Sequence, residues 1–148
     1  MYNDIVIMLI AMFRTLFSDE YRAQQLIADL LDDDLEVASE AAEDLGEMGM
    51  TAAVPALLDM LTITADDITE RGSAVELIDL RQDVVRSLGK LEDGRAVMPL
   101  IDVMHHDVDR GIRYEAAFAL LKIGTLPAVE AVDRWQADGR EPPLTSRT

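Results

Sequence analysis

Two adjacent histidines and the aspartates around them are the residues whose types could hold a metal ion. His105 and His106 lie close to Asp102, Asp107 and Asp109. Imidazole and carboxylate groups are common zinc ligands, but neighbours on a helix point about 100° apart and cannot both face one ion unaided. Because histidines at a helix C-terminus also complement its dipole, we predict a helix end here and no metal site.

The other candidate chemistry is equally sparse. Three successive aspartates begin at Asp32, but an EF-hand loop counted from there would need glycine at its sixth position, which is Val37. A helix N-cap with acidic flanks explains the run better. The chain lacks a Ser-His-Asp grouping, a phosphate-binding glycine loop and a dinucleotide fingerprint. We therefore predict no catalytic residues, no cofactor and no enzymatic activity.

Net charge restricts the class of partner. The chain has 148 residues, 49% of them hydrophobic, and a formal net charge of -16. Such a charge repels nucleic acid and anionic lipid, so we expect neither as a partner and favour a protein with a basic surface. Asp outnumbers Glu and Arg outnumbers Lys. That bias fits a salt-loving organism, although a GC-rich genome would also favour arginine.

Cysteine is absent, which excludes disulfides and thiolate chemistry and favours a cytoplasmic location. The apolar run IVIMLIAMF begins at Ile5 and ends at Phe13. It is too short for a membrane span and lacks the positive flank of a secretory signal. Because it is apolar around its whole circumference, we expect it to dock on the first repeat and to form a homodimer or another protein contact.

Three stretches of the chain repeat one pattern. LGEMGMTAAVPALL begins at Leu45, LGKLEDGRAVMPLI at Leu88 and LLKIGTLPAVEAVD at Leu120. Gly46, Gly89 and Leu121 share one column of this alignment. Apolar residues at three- and four-residue steps before and after the column predict a pair of amphipathic helices in each copy.

Local signals set the ends of these helices. Ser73 and Glu76 form a capping-box pattern, and prolines Pro55, Pro99 and Pro127 lie near the start of each second helix. Gly49 and Gly124 are expected to end the first helices of the outer copies in the left-handed conformation. The middle copy has Glu92 at that position, so we expect a differently shaped turn there.

The repeats are preceded and followed by other segments. Residues 5–17 and 19–31 are expected to form two N-terminal capping helices, with Ser18 as the cap between them. We predict one α-solenoid domain over residues 1–138, with capping helices in 1–31 and repeats in 32–62, 73–106 and 107–137. Residues 139–148 (GREPPLTSRT from Gly139) are polar, and we expect a flexible tail.

The copies DDDLEVASEAAEDLGEMGMTAAVPALL, LRQDVVRSLGKLEDGRAVMPLI and DVDRGIRYEAAFALLKIGTLPAVEAV resemble the short HEAT repeat of phycobilisome (bilin) lyases. The resemblance implies an all-α, right-handed superhelix of about three helix pairs, with second helices on the concave side. It also implies that Arg81 and Arg113 brace neighbouring repeats through aspartates. Ala38 stands at that position in the first copy.

The predicted partner surface comes from the second helices and from an insertion. Aligned second-helix positions give a mostly acidic row with Met98 as an apolar spot and Trp135 either at one end of it or closing the last repeat. The middle copy also carries about eleven extra residues, from Thr62 to Gly72, and insertions into repeats often lie on the binding face. The candidate partner-binding residues are Asp59, Met98, Asp102, Glu130, Asp133, Arg134, Asp66 and Asp67.

Two functions remain open at this point. The favoured one is a non-catalytic adaptor or scaffold that binds another protein, with archaeal taxis or motility signalling as its specific setting. The alternative, which the repeat type permits, is a subunit or chaperone of a bilin lyase. A bilin spectrum that shifts on mixing would separate them.

Overall fold

The computed structural model describes residues 2–64 and 73–139. These residues contain seven α-helices. Short 3-10 helices at Thr51–Ala53 and Gly94–Ala96 lead into the third and fifth of them, and these ranges contain no strand. The helices are α1 (Tyr2–Leu30), α2 (Leu35–Glu47), α3 (Val54–Met60), α4 (Ala74–Leu91), α5 (Val97–His106), α6 (Arg110–Ile123) and α7 (Leu126–Ala137).

Capping side chains start the first helices. Asp34 and Asp109 accept backbone N–H groups at the starts of α2 and α6. Ser73 forms a complete capping box: its Oγ accepts from the Glu76 N–H, and its own N–H donates to Glu76 Oε2 at 2.7 Å. Each cap satisfies a donor that the helix itself cannot satisfy. The paired-helix prediction is confirmed for all three copies, and the fold is an all-α, HEAT-like solenoid.

The turn after α4 differs from the prediction. Gly49 and Gly124 adopt the left-handed conformation as expected, with φ of 67° and 68°. Glu92 adopts it too, with φ of 51°, and its N–H bonds to the Gly89 carbonyl. The expectation of a differently shaped turn was wrong. The middle repeat keeps the turn and accepts a strained backbone at a non-glycine residue.

The N-terminal segment is one helix and not two. α1 runs without a break through Ser18, whose hydroxyl donates to the Thr15 carbonyl within the helix at 2.8 Å. Ser18 therefore does not act as a cap. With no proline or glycine between residues 2 and 30, nothing in the backbone forces a stop there.

Only the C-terminal part of α1 packs on the first repeat. Ala23, Leu26 and Leu30 are buried, and Leu26 and Leu30 join the core that runs through all three repeats. The expectation that the apolar run between Ile5 and Phe13 docks there was wrong, because its large side chains remain about half exposed. No helix in the described ranges meets the length and apolarity needed to cross a bilayer.

The repeats stack through their first helices. α2 contacts α4, and α4 contacts α6, while α3, α5 and α7 pack as second helices against this row. A Cβ added to Gly46 would lie 2.8 Å from Ser87 Cα, and one added to Gly89 would lie 2.9 Å from Ala119 Cα. The Leu-Gly column therefore permits neighbouring first helices to approach closely.

The last repeat ends the stack. Leu121 occupies the glycine column but is 40% exposed, because no further first helix follows in the described residues. Trp135 of α7 is buried and packs edge-to-face on Tyr114 of α6, with ring centroids 5.4 Å apart. Of the two roles left open for Trp135, closing the last repeat fits this placement.

Candidate binding surface

The second helices carry the predicted partner residues on their outward sides. Each of these helices begins with a proline in its first turn and buries one stripe of aliphatic side chains against the first helices. The positions between those stripes stay in solvent. We call these exposed residues the second-helix surface: Asp59, Met98, Asp102, Glu130, Asp133 and Arg134.

This surface is acidic around one apolar residue. It holds four carboxylates and one guanidinium, and Met98 is 70% exposed among them. Arg134 donates from Nε to the Glu130 carbonyl at 3.2 Å within α7. The second-helix surface is therefore mostly acidic, with one exposed apolar side chain.

The adjacent histidines end α5, as the sequence indicates. His106 Nδ1 lies 2.9 Å from Asp102 Oδ1, one helical turn earlier, and both side chains are mostly exposed. The ring of His105 is tilted 47° from that of His106, with centroids 6.0 Å apart. Among the residues that the structure describes, no three His, Asp or Glu side chains lie close enough together to bind one metal ion.

Asp107 joins the second and third repeats. Its carboxylate is 2% exposed and contacts Arg81 Nη2 at 2.5 Å, while its other oxygen accepts the Asp109 N–H. Arg113 reaches the same residue differently, donating to the Asp107 backbone carbonyl at 2.8 Å. The two arginines thus hold the loop between α5 and α6 from both of its neighbouring first helices.

A second bridge joins the first two repeats. Asp93 accepts the Arg95 N–H and its guanidinium, and Arg95 Nη2 donates to the Thr51 carbonyl of the preceding repeat at 2.9 Å. The hydrogen bond from the Arg95 side chain lowers the pKa of Asp93 to about 2. Arg95 is exposed and Asp93 is partly buried, and the pair lies next to the start of α5.

The structure also reveals a groove that sequence reasoning missed. It lies between α2 and α4, where Ser39 Oγ donates to Asp83 Oδ2 at 2.5 Å. Its acidic side chains come from α2 and α4, which are far apart in sequence, so no local sequence motif predicts the groove. The lining includes Glu36, Ser39, Glu76, Asp79, Asp83 and Arg86.

Two of the predicted site residues cannot be placed. Asp66 and Asp67, with most of the insertion between Thr62 and Gly72, lie outside the described residues, as do residues 140–148 of the predicted tail.

Comparison with known families decides the type of repeat. Residues 37–62, which cover α2 from its third residue and all of α3, match the model of the PBS lyase HEAT-like repeat. The first repeat is therefore a HEAT-like repeat of the PBS lyase type. The family model covers the first copy only, and the other two copies share its pair of helices. No curated protein matches the chain significantly.

A solved structure extends the similarity beyond one repeat. The HEAT-like chain is 32% identical, with a TM-score of 0.60, to a chain in the complex of CpcE and CpcF of phycocyanin lyase from Nostoc sp. PCC7120. The match covers 74% of this chain and 40% of that one. This similarity contradicts the prediction that the chain has no enzymatic role, and it favours the lyase alternative over the non-catalytic adaptor.

Proposed function

We propose that this HEAT-like protein is a subunit of a bilin lyase and works in complex with other proteins. The observation that carries the proposal is the match over three quarters of the chain to a subunit of a phycocyanin lyase complex. A lyase subunit of this kind contributes to adding a tetrapyrrole to, or removing it from, a carrier protein.

The chain is proposed to need a second protein that completes the reaction site. It spans 40% of the length of the chain it matches, and all six residues of its second-helix surface are exposed. An exposed row of side chains does not exclude water from a reacting pigment. The pigment is therefore proposed to react on a second protein that this row contacts.

Charge decides which component the second-helix surface contacts. Bilins carry propionate groups, and the surface holds four carboxylates against one guanidinium. Direct binding of the pigment to this surface is therefore disfavoured. A basic region of the second subunit or of the carrier protein fits it, with Met98 as the apolar contact at its centre.

The test is affinity capture from an extract of the native organism with the tagged full-length chain, followed by visible absorbance and mass spectrometry of the eluate. The variant Asp59→Lys with Asp102→Lys reverses the charge of the second-helix surface. The matched control, Glu40→Lys with Glu43→Lys, makes the same charge change at exposed positions of α2.

Wild type and control are expected to retain a pigmented partner. The second-helix variant is expected to retain at least about tenfold less of that partner than wild type does. A colourless wild-type eluate would overturn the lyase role. Equal loss in both variants would overturn the assignment of the surface, since net charge alone would then explain binding.

A further inference from the structure

The N-terminal half of α1 is an uncovered apolar helix. Nine large apolar side chains between residues 5 and 17 are 47–66% exposed: Ile5, Val6, Ile7, Met8, Leu9, Ile10, Met12, Phe13 and Phe17. An isolated helix of this length is marginal in water even with good helix formers. A contiguous apolar surface of this extent marks an interaction site.

One stripe of this surface has the spacing of a helix-pairing seam. Val6, Ile10, Phe13 and Phe17 follow one another at steps of four, three and four residues, which keeps them on one face of α1. The rings of Phe13 and Phe17 lie 4.7 Å apart and form the bulky end of the stripe. We call these four residues the α1 seam.

We propose that a second copy of this chain covers the α1 seam, with the two α1 helices running antiparallel. This adds a homodimer contact to the proposed lyase role and does not depend on that role.

Side-chain size favours the antiparallel direction. With the two-fold axis between residues 11 and 12, Val6 of one copy faces Phe17 of the other, and Ile10 faces Phe13. Each large ring then meets a smaller aliphatic group, as well-packed interfaces require. A parallel pair would instead set Phe13 against Phe13 and Phe17 against Phe17.

Charge favours the same direction. Each copy carries a net charge of -16, yet Arg14 is the only charged residue between positions 5 and 18. The packed part of α1 begins at Ala23, about 17 Å along the helix from the two-fold axis. Antiparallel pairing thus holds the two acidic solenoids about 34 Å apart along the helix axis, well beyond a Debye length of about 10 Å.

The shape of the α1 seam fits a second copy as well. A two-fold contact uses the same patch on both chains, so one self-complementary stripe is sufficient.

The first experiment measures molar mass by light scattering on the purified full-length chain. Wild type is expected to have the mass of two chains. Ile10→Glu with Phe17→Glu is expected to raise the dimer dissociation constant more than about a hundredfold, because it would bury two carboxylates. The control, Ala11→Glu with Ser18→Glu, adds the same charges on the opposite face of α1 and is expected to remain a dimer, with circular dichroism verifying that both variants fold.

The second experiment tests direction, using the absence of native cysteine. A mixture of Val6→Cys and Phe17→Cys chains is expected to form a mixed disulfide on oxidation, and Val6→Cys alone is expected to form none. A parallel pair would reverse this result and overturn the proposal.

Other occupants of the α1 seam give different outcomes. A wild-type chain with the mass of one chain overturns the proposal. A monomer that sediments with phosphatidylglycerol vesicles would show that the α1 seam binds lipid instead. A monomer that does not sediment with them would show that a different protein covers the seam. Loss of the dimer would not affect pigment capture through the second-helix surface, so the two proposals fail separately.

Discussion

The Leu-Gly column requires glycine because neighbouring first helices lie too close together for a side chain. Gly46 and Gly89 lie inside helices, where glycine is destabilising, and neither is needed for a turn. Their value is the contact with Ser87 and Ala119 of the next repeat. A single sequence shows that these glycines recur, but the reason appears only when the next repeat is in place.

Adding one methyl group should therefore separate the repeats. We predict that Gly46→Ala and Gly89→Ala each lower the free energy of unfolding by about 1–3 kcal/mol, because the new Cβ would overlap backbone atoms of the neighbouring helix. Urea denaturation measures this. Gly94→Ala is the control, since a Cβ there meets nothing within 4 Å, and equal effects at all three positions would contradict the explanation.

The Asp93 carboxylate reports on the bridge between the first two repeats. Because Arg95 lowers its pKa to about 2, the group contributes stability above its ordinary pKa near 4. That contribution is lost as the pH falls through about 2.

We predict that Arg95→Gln raises the pKa of Asp93 part of the way towards 3.8, because the hydrogen bond from the guanidinium and its charge attraction disappear while the hydrogen bond from the backbone N–H of residue 95 remains. Carboxyl-carbon NMR titration of the folded protein gives this value directly. A midpoint for Asp93 that stays near pH 2 in the variant would show that Arg95 is not the cause.

At the scale of helices, the sequence predicts most of what the structure contains. The periodic apolar positions, the Ser73 cap and the three prolines each act through local chemistry, and each appears where expected. Ser18 and Glu92 did not follow prediction, for different reasons. Serine is tolerated inside a helix, so Ser18 did not end α1. Glu92 adopts the left-handed conformation although it is not glycine, and its N–H bonds to the Gly89 carbonyl.

The buried Arg81 and Asp107 pair connects two of these elements. We predict that Arg81→Met lowers the free energy of unfolding by about 3–5 kcal/mol, because it leaves the nearly inaccessible Asp107 carboxylate without its charge partner. Thermal and urea unfolding measure the change.

A matched control removes an exposed arginine. Arg95→Met breaks a surface pair that includes Asp93 and should lower the free energy of unfolding much less than Arg81→Met does. If both variants are equally stable, the Asp107 contact does not hold the second and third repeats together.

For the whole molecule, function was the least predictable feature. The sequence located the exposed second-helix positions, since aligned repeats place equivalent residues on equivalent faces. The sequence could not show which molecule binds at these positions, because the complementary residues belong to the partner. Absence of a catalytic motif also misled the prediction of enzymatic role, since a lyase built from several subunits need not carry a complete site on each chain.

We propose that the second-helix surface contacts the other components of a lyase complex. Hydrogen exchange of the chain, measured alone and bound to its captured pigmented partner, tests this proposal. We expect slower exchange on binding in the second helices α3, α5 and α7, where Asp59, Met98 and Glu130 lie. Slower exchange confined to the first helices α2, α4 and α6, with the second helices unchanged, would contradict it.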